Sequence, residues 1–130
     1  MTYKKVASVK VPATNSTASA PIPIYEVPEN TEIIVSKIYV FNPIGNKDIR
    51  VHIFFVDKNN PDEYDSTNDR IIEESTQAFD FLVPGFDTAI FGSGITLAGG
   101  QCVYVRSIGG RSVVHIFGKV LKGPVEEIGD

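Results

Sequence analysis

Between Thr31 and Asp57 the chain carries two consecutive apolar-rich runs separated by a short break. The first run, Thr31 to Phe41, is rich in β-branched and aromatic residues and has the length of a long strand. Asn42-Pro43-Ile44-Gly45-Asn46 ends it, because proline cannot donate to a ladder and glycine weakens one. The second run, "DIRVHIFFVD" (48–57), places Ile49, Val51, Ile53 and Phe55 on one face. Asp48, Arg50 and His52 lie on the other before Phe54 and Val56. The pair reads as a hairpin or meander. The period of two in the second run and the β-branched, aromatic composition of the first point to β-structure in the middle of the chain.

The rest follows the same rhythm. Val-Pro and Glu29-Asn30 form a turn signal ahead of the first run. In "QAFDFLVP", Phe79, Phe81 and Val83 alternate with Ala78, Asp80 and Leu82, and Pro84-Gly85 turns the chain. "FDTAIFGSG" follows. "SGITLAGGQCVYVRS" (93–107) then reads as a hairpin about Gly99-Gly100, with Ile95, Leu97, Val103 and Val105 inward and Cys102 in the opposite phase. "GGRSVVHIFGKVLKG" reads as a last strand. Turn signals about every 8–12 residues, with no amphipathic helix and no fixed repeat, indicate a sandwich or barrel. The expected fold is all-β: an antiparallel β-sandwich, jelly-roll-like, with an extended N-terminal arm. The small, polar, proline-bearing stretch 13–23 places that arm at 1–21, although "YKKVASVKV" can itself form a short strand. The sandwich domain then spans 22–125 and a C-terminal tail 126–130.

Length and charge exclude several classes. A chain of 130 residues suits one domain and buries roughly two-thirds of its unfolded surface without staples. No run reaches the ~18 apolar residues of a membrane helix, and no apolar block follows Lys4 and Lys5 as a secretory signal requires. A single cysteine, Cys102, excludes an intrachain disulfide or a cysteine metal cluster. Of the net charge of −4, segment 57–74 carries seven acids against two bases, a net of −5, which leaves about +1 for the rest. Without a basic stripe the sequence gives no footprint for nucleic acid. The acidic segment, long for a β connection, is expected to face solvent; "NDRIIEESTQAF" within and after it has room for one helical turn or a short strand.

Chemistry-bearing patterns are sparse. His52 and His115 lie within strands and lack a third metal ligand at fixed spacing, so they read as polar-face residues. "DKNNPDEYD" has Asp57, Asn59 and Pro61 at the first, third and fifth positions of a calcium loop. Proline cannot ligate there, and Asp62 stands where glycine is needed. No serine sits in a nucleophile elbow, "AGGQ" and "IGGR" precede no helix that would bind phosphate, and Asp80 and Asp87 merely flank a turn. The sequence therefore predicts no enzyme, cofactor or metal.

Three segments together carry a resemblance: "IYEVPENTEIIVSKIYVFNP" (24–43), "DIRVHIFFVD" (48–57), and "GITLAGGQCVYVRS" with "RSVVHIFGKVL". They resemble small β-sandwich virion accessory proteins of tailed bacteriophages over roughly 22–57 and 79–121. In that group a Gly-Asp turn is usual, whereas this chain has Gly100-Gln101, whose amide can support the turn in part. The resemblance implies a non-enzymatic phage virion structural protein on the particle surface. It would be a capsid decoration (cement) protein that binds the outer capsid surface and stabilises the head as a homotrimer, with the major capsid protein or neighbouring virion proteins as partners. Alternatives are a neck, collar or tail component, or a carbohydrate-binding module. No membrane or nucleic-acid partner is expected. Candidate capsid or subunit contacts are Tyr3, Lys4 and Lys5 in the arm, and Pro43, Ile44, Asn46 and Phe86 in the loop ends near 43–47 and 84–87.

Overall fold

The structure, a computed structural model, describes residues 3–122, so the C-terminal tail 126–130 lies outside the described residues. The elements in order are β1 (Lys4–Val11), β2 (Ala13–Thr14), β3 (Ile22–Glu26), β4 (Glu32–Phe41), β5 (Ile49–Asp57), β6 (Tyr64–Asp65), β7 (Arg70–Ile71), α1 (Glu73–Thr76), β8 (Gln77–Val83), β9 (Thr88–Ala98), β10 (Gln101–Ile108) and β11 (Ser112–Lys122). One sheet has the order β1-β11-β4-β9. The other has β2-β10-β5-β8, with β3 also on β10, and β6-β7 form a small ribbon.

Setting aside the two-residue strands, eight strands remain. They pair first with last, second with seventh, third with sixth and fourth with fifth, all antiparallel. That nesting is a single long hairpin rolled into two sheets, which is the jelly-roll arrangement. The all-β sandwich expected from the alternation is the fold observed.

The alternation also fixes what lies between the sheets. Ile33, Val35, Ile38 and Val40 of β4 face Ile49, Val51 and Ile53 of β5 across the core, with Val103 and Val105 from β10 and Val114 and Ile116 from β11. Every one is at or near zero exposure. Each such side chain contributes about 1.5–3 kcal/mol relative to leaving it in water.

Three expectations about arrangement are corrected. The runs 31–42 and 48–57 are not a hairpin: β4 and β5 belong to different sheets. Both have one strongly apolar face, and stacking those faces across a core buries both. Likewise Gly99-Gly100 does not close a hydrogen-bonded hairpin but carries the chain from the β9 sheet to the β10 sheet. Leu97, Val103 and Val105 are buried and Ile95 packs against the core, as the alternation indicated. Glycine is required at this crossing. A Cβ on Gly99 would stand 2.9 Å from the Pro28 carbonyl oxygen, and Gly100 has φ +89. Gln101 Oε1 accepts from the Ala98 amide at 2.7 Å, the turn-supporting bond expected of that side chain.

The third correction concerns the arm. Lys4–Val11 is a strand paired with β11, and Val11 is 1% exposed. Ala7, Val9 and Val11 are small but alternate with Ser8 and Lys10, enough to line the sheet's inner face. Residues 12–21 are tied down as well. β2 runs parallel to Ser107–Ile108, and the Gly109 amide donates to the Thr14 carbonyl at 2.8 Å.

The acidic segment is structured too. Its acids and asparagines fold it locally: the amides of Asn59, Asp62 and Thr67 donate to the side chains of Asp57, Asn60 and Asp65. Its Tyr64 and Ile71 pack on Phe54, Val56, Cys102 and Tyr104, the outward side chains of β5 and β10. It turns charge to solvent but also covers the outer face of the five-stranded sheet. At the end that the segment covers, β5 and β10 are apolar on both faces, as a strand buried on two sides requires.

Candidate contact surface

The loops expected to make contacts meet at one end of the sandwich. Asn42, fully buried, organises them. Its Nδ2 donates to the carbonyls of Lys47 at 2.8 Å and Val83 at 3.0 Å, and its Oδ1 accepts from the Ile44 amide at 2.9 Å. The Asn42 backbone exchanges bonds with Phe86 and Asp87. Loop 43–47 is thereby stitched to loop 84–87. Phe86 sits at φ 60, a left-handed conformation uncommon outside glycine. That conformation lays its ring over Gly45, where no Cβ would fit, while leaving the residue 70% exposed. Pro43, Ile44, Asn46 and Phe86 thus share one end.

Tyr3, Lys4 and Lys5 do not join them. Lys4 and Lys5 pair with Gly118 and Phe117, far along β11 from the Ser112 end, and the Lys119 ammonium lies 5.6 Å from the Tyr3 ring centroid. The structure separates the expected contact residues into two groups, one at the Ser112 end of β11 and one midway along it.

The sequence reading missed the side of the sandwich where β8 and β9, the last strands of their sheets, lie together. Between them Phe79, Phe81 and Phe91 stack, with centroids 4.7 Å apart for Phe79–Phe91 and 4.4 Å for Phe81–Phe91, and all three are only partly buried. Leu82 on β8, opposite Arg50, and Ile90 on β9, opposite Tyr39, point away from this stack onto the outer faces of the five- and four-stranded sheets, at 62% and 57% exposure. Phe86 lies in the turn joining the two strands, its ring over Gly45. The three most exposed large hydrophobic residues of the described chain, Phe86, Leu82 and Ile90, thus all belong to β8, β9 or the turn between them, on different faces. Their appearance in separate runs hid this edge from any single window.

Charge divides the two outer faces. Register places Lys5, Lys10, Lys37 and Lys119 on the outer face of the four-stranded sheet with Tyr39, Phe41 and Phe117, and Glu32 as the acid among them. The opposite face carries the acidic segment. Tyr25, Tyr39 and Tyr104 do not form an exposed aromatic row. Tyr25 packs against the inner core, Tyr39 stacks on Phe117 at 5.3 Å, and Tyr104 is 7% exposed beneath the acidic segment. There it floors a cleft of about 710 Å³ between residues 18–21 and 61–73.

The two histidines lie on different outer faces. His115 Nδ1 shares a 2.8 Å bond with the Ser8 hydroxyl, and His52 is buried in a polar chain on the five-stranded sheet. Asp80 is bound by Arg50 and His52, whereas Asp87 accepts from the Thr88 amide. Among the described residues, no three His, Cys, Asp or Glu side chains are grouped to hold a metal ion. Comparison with known proteins finds no matching family model and no matching curated protein.

Proposed function

We propose that the chain is a non-enzymatic structural subunit of a phage particle: a capsid decoration protein that sits on the outer capsid surface, meets the major capsid protein and assembles as a trimer. The virion part of this reading rests on the resemblance over 22–57 and 79–121. The assembly part rests on one observation, the β8–β9 edge, where Phe79, Phe81 and Phe91 stack between the sheets and Leu82, Phe86 and Ile90 stand exposed on the same two strands and their turn. Apolar surface concentrated along one edge of a small domain marks an interaction site. Burying Leu82, Phe86 and Ile90 contributes about 1.5–3 kcal/mol each. That sum is comparable with the roughly 4–15 kcal/mol that association costs in lost freedom. With this side turned to a symmetry axis, the basic face of the four-stranded sheet is left for the capsid and the acidic segment for solvent.

Co-sedimentation with empty capsids, followed by copy counting per particle, tests the reading. Association at hundreds of copies supports decoration. A dozen or fewer reassigns the chain to a neck or tail position, and no association overturns the virion reading.

A further inference from the structure

The outer face of the five-stranded sheet holds a polar chain that neither the core nor the proposed contacts require. At its centre Arg106 is 3% exposed. Its Nη1 and Nη2 donate to both carboxylate oxygens of Glu73 at 3.0 and 2.9 Å. Nη1 also donates to the Ser19 carbonyl at 2.8 Å. Its Nε and Nη2 lie 3.2 and 2.8 Å from His52 Nδ1. One guanidinium therefore fastens three parts of the chain: the N-terminal stretch through Ser19, the acidic segment through Glu73, and β5 through His52.

Arginine has no acceptor, so His52 Nδ1 must offer a lone pair and the ring proton sits on Nε2. Nε2 faces Asp80 Oδ1 at 3.2 Å, and Asp80 is itself gripped by Arg50 Nε and Nη2 at 2.7 and 2.8 Å. Protonating His52 would put an N–H against the N–H groups of Arg106 and a positive charge beside a buried cation.

We propose that Arg106, His52 and Glu73 form an acid-sensitive clasp: protonation of His52 breaks its bonds to Arg106 and frees the acidic segment from Phe54, Val56, Cys102 and Tyr104. The apolar cluster under that segment is separate from the core between the sheets, so the clasp opens without unfolding the sandwich.

Every charged group around His52 enters the balance. Asp80 on β8 favours protonation. Arg106 on β10 and Arg50 on β5 oppose it, and Glu73 on α1 is already engaged by Arg106. Burial is the largest influence, and together they hold His52 below its ordinary pKa. The unfolded or released form thus takes up a proton more readily than the closed one. Closure is at full strength above about pH 6.5, the ordinary histidine value, and is lost as pH falls through the depressed one. The clasp does not depend on the virion reading.

Amide hydrogen exchange between pH 7.5 and 4.5, corrected for intrinsic chemistry, tests it. The Tyr64 and Ile72 amides, bonded to the Asn60 and Glu63 carbonyls at 3.0 and 2.9 Å, report on the segment. Their protection should stay constant above about pH 6.5, fall by up to about tenfold per pH unit between there and the depressed folded value, and level off below it, as one-proton linkage requires. Amides of β4 and β11 should hold. His52→Gln, which keeps an acceptor and a donor, should flatten the dependence. Protection unchanged down to pH 4.5, an equal fall in His52→Gln, or simultaneous loss in β4 and β11 overturns the clasp. Should that variant fail to fold, imidazole nitrogen shifts of the unaltered protein decide: a proton on Nδ1 at pH 7.5 contradicts it.

Discussion

Asn42 shows how much one buried polar side chain organises. Fully enclosed, it satisfies two carbonyls and one amide from three different loop positions, and Asn42→Ala leaves them without partners. A buried group stripped of its hydrogen bond costs about 1–3 kcal/mol, so the variant should lose roughly 2–4 kcal/mol in urea denaturation. A loss below about 0.5 kcal/mol would show that the two loops are held by other means. Cys102 makes a different point. Burial, and then the neighbouring Glu26 carboxylate, push its thiol up to about 11. Since the thiolate is the reactive form, a disulfide reagent at pH 8 should leave the folded protein unlabelled and label it fully in urea. Rapid labelling of the native protein would mean that the acidic segment does not cover β10 as described.

At the scale of elements, strands were legible and their partners were not. A period of two tells which residues share a face, and Ile49, Val51 and Ile53 went to the core as that period requires. It does not tell which sheet a strand joins, so β4 and β5 read as neighbours although they face each other across the core. β1 was obscured because its inward residues are small and its outward ones include lysines, a composition shared with an extended arm. The cover over β5 and β10 was legible in principle. Phe54, Val56, Cys102 and Tyr104 left an apolar outer face in need of a partner, and Tyr64 and Ile71 are the apolar residues of an otherwise polar segment. β1 itself gives a prediction. Deleting residues 1–11 removes the pairing along β11 and the buried Val11, so thermal unfolding followed by circular dichroism should move clearly downward. An unchanged melt would show that this segment is the dispensable arm its composition suggests.

The whole molecule is a rigid jelly roll whose surfaces differ in kind: a basic, aromatic sheet face, an acidic cover opposite, and an apolar side between. Of these, the acidic cover alone was foreshadowed by the sequence, because contiguous charge is visible in one window. The phenylalanine stack draws on Phe79, Phe81 and Phe91, which only the packing of the two sheets brings to one place. The loop end around Phe86, expected from the sequence as a contact, is the pair of loops that Asn42 ties together. Function on this account resides in surfaces grafted on a stable fold.

The central claim is that the β8–β9 side is a subunit contact. Sedimentation equilibrium over a wide concentration range, on the unaltered protein and on a Phe86→Ser, Ile90→Lys double variant, tests it most directly. Both residues are largely exposed, so the variant should keep its circular dichroism spectrum. The account predicts three times the chain mass for the unaltered protein and one chain mass for the variant. A monomeric unaltered protein, or a variant that still assembles, would contradict it.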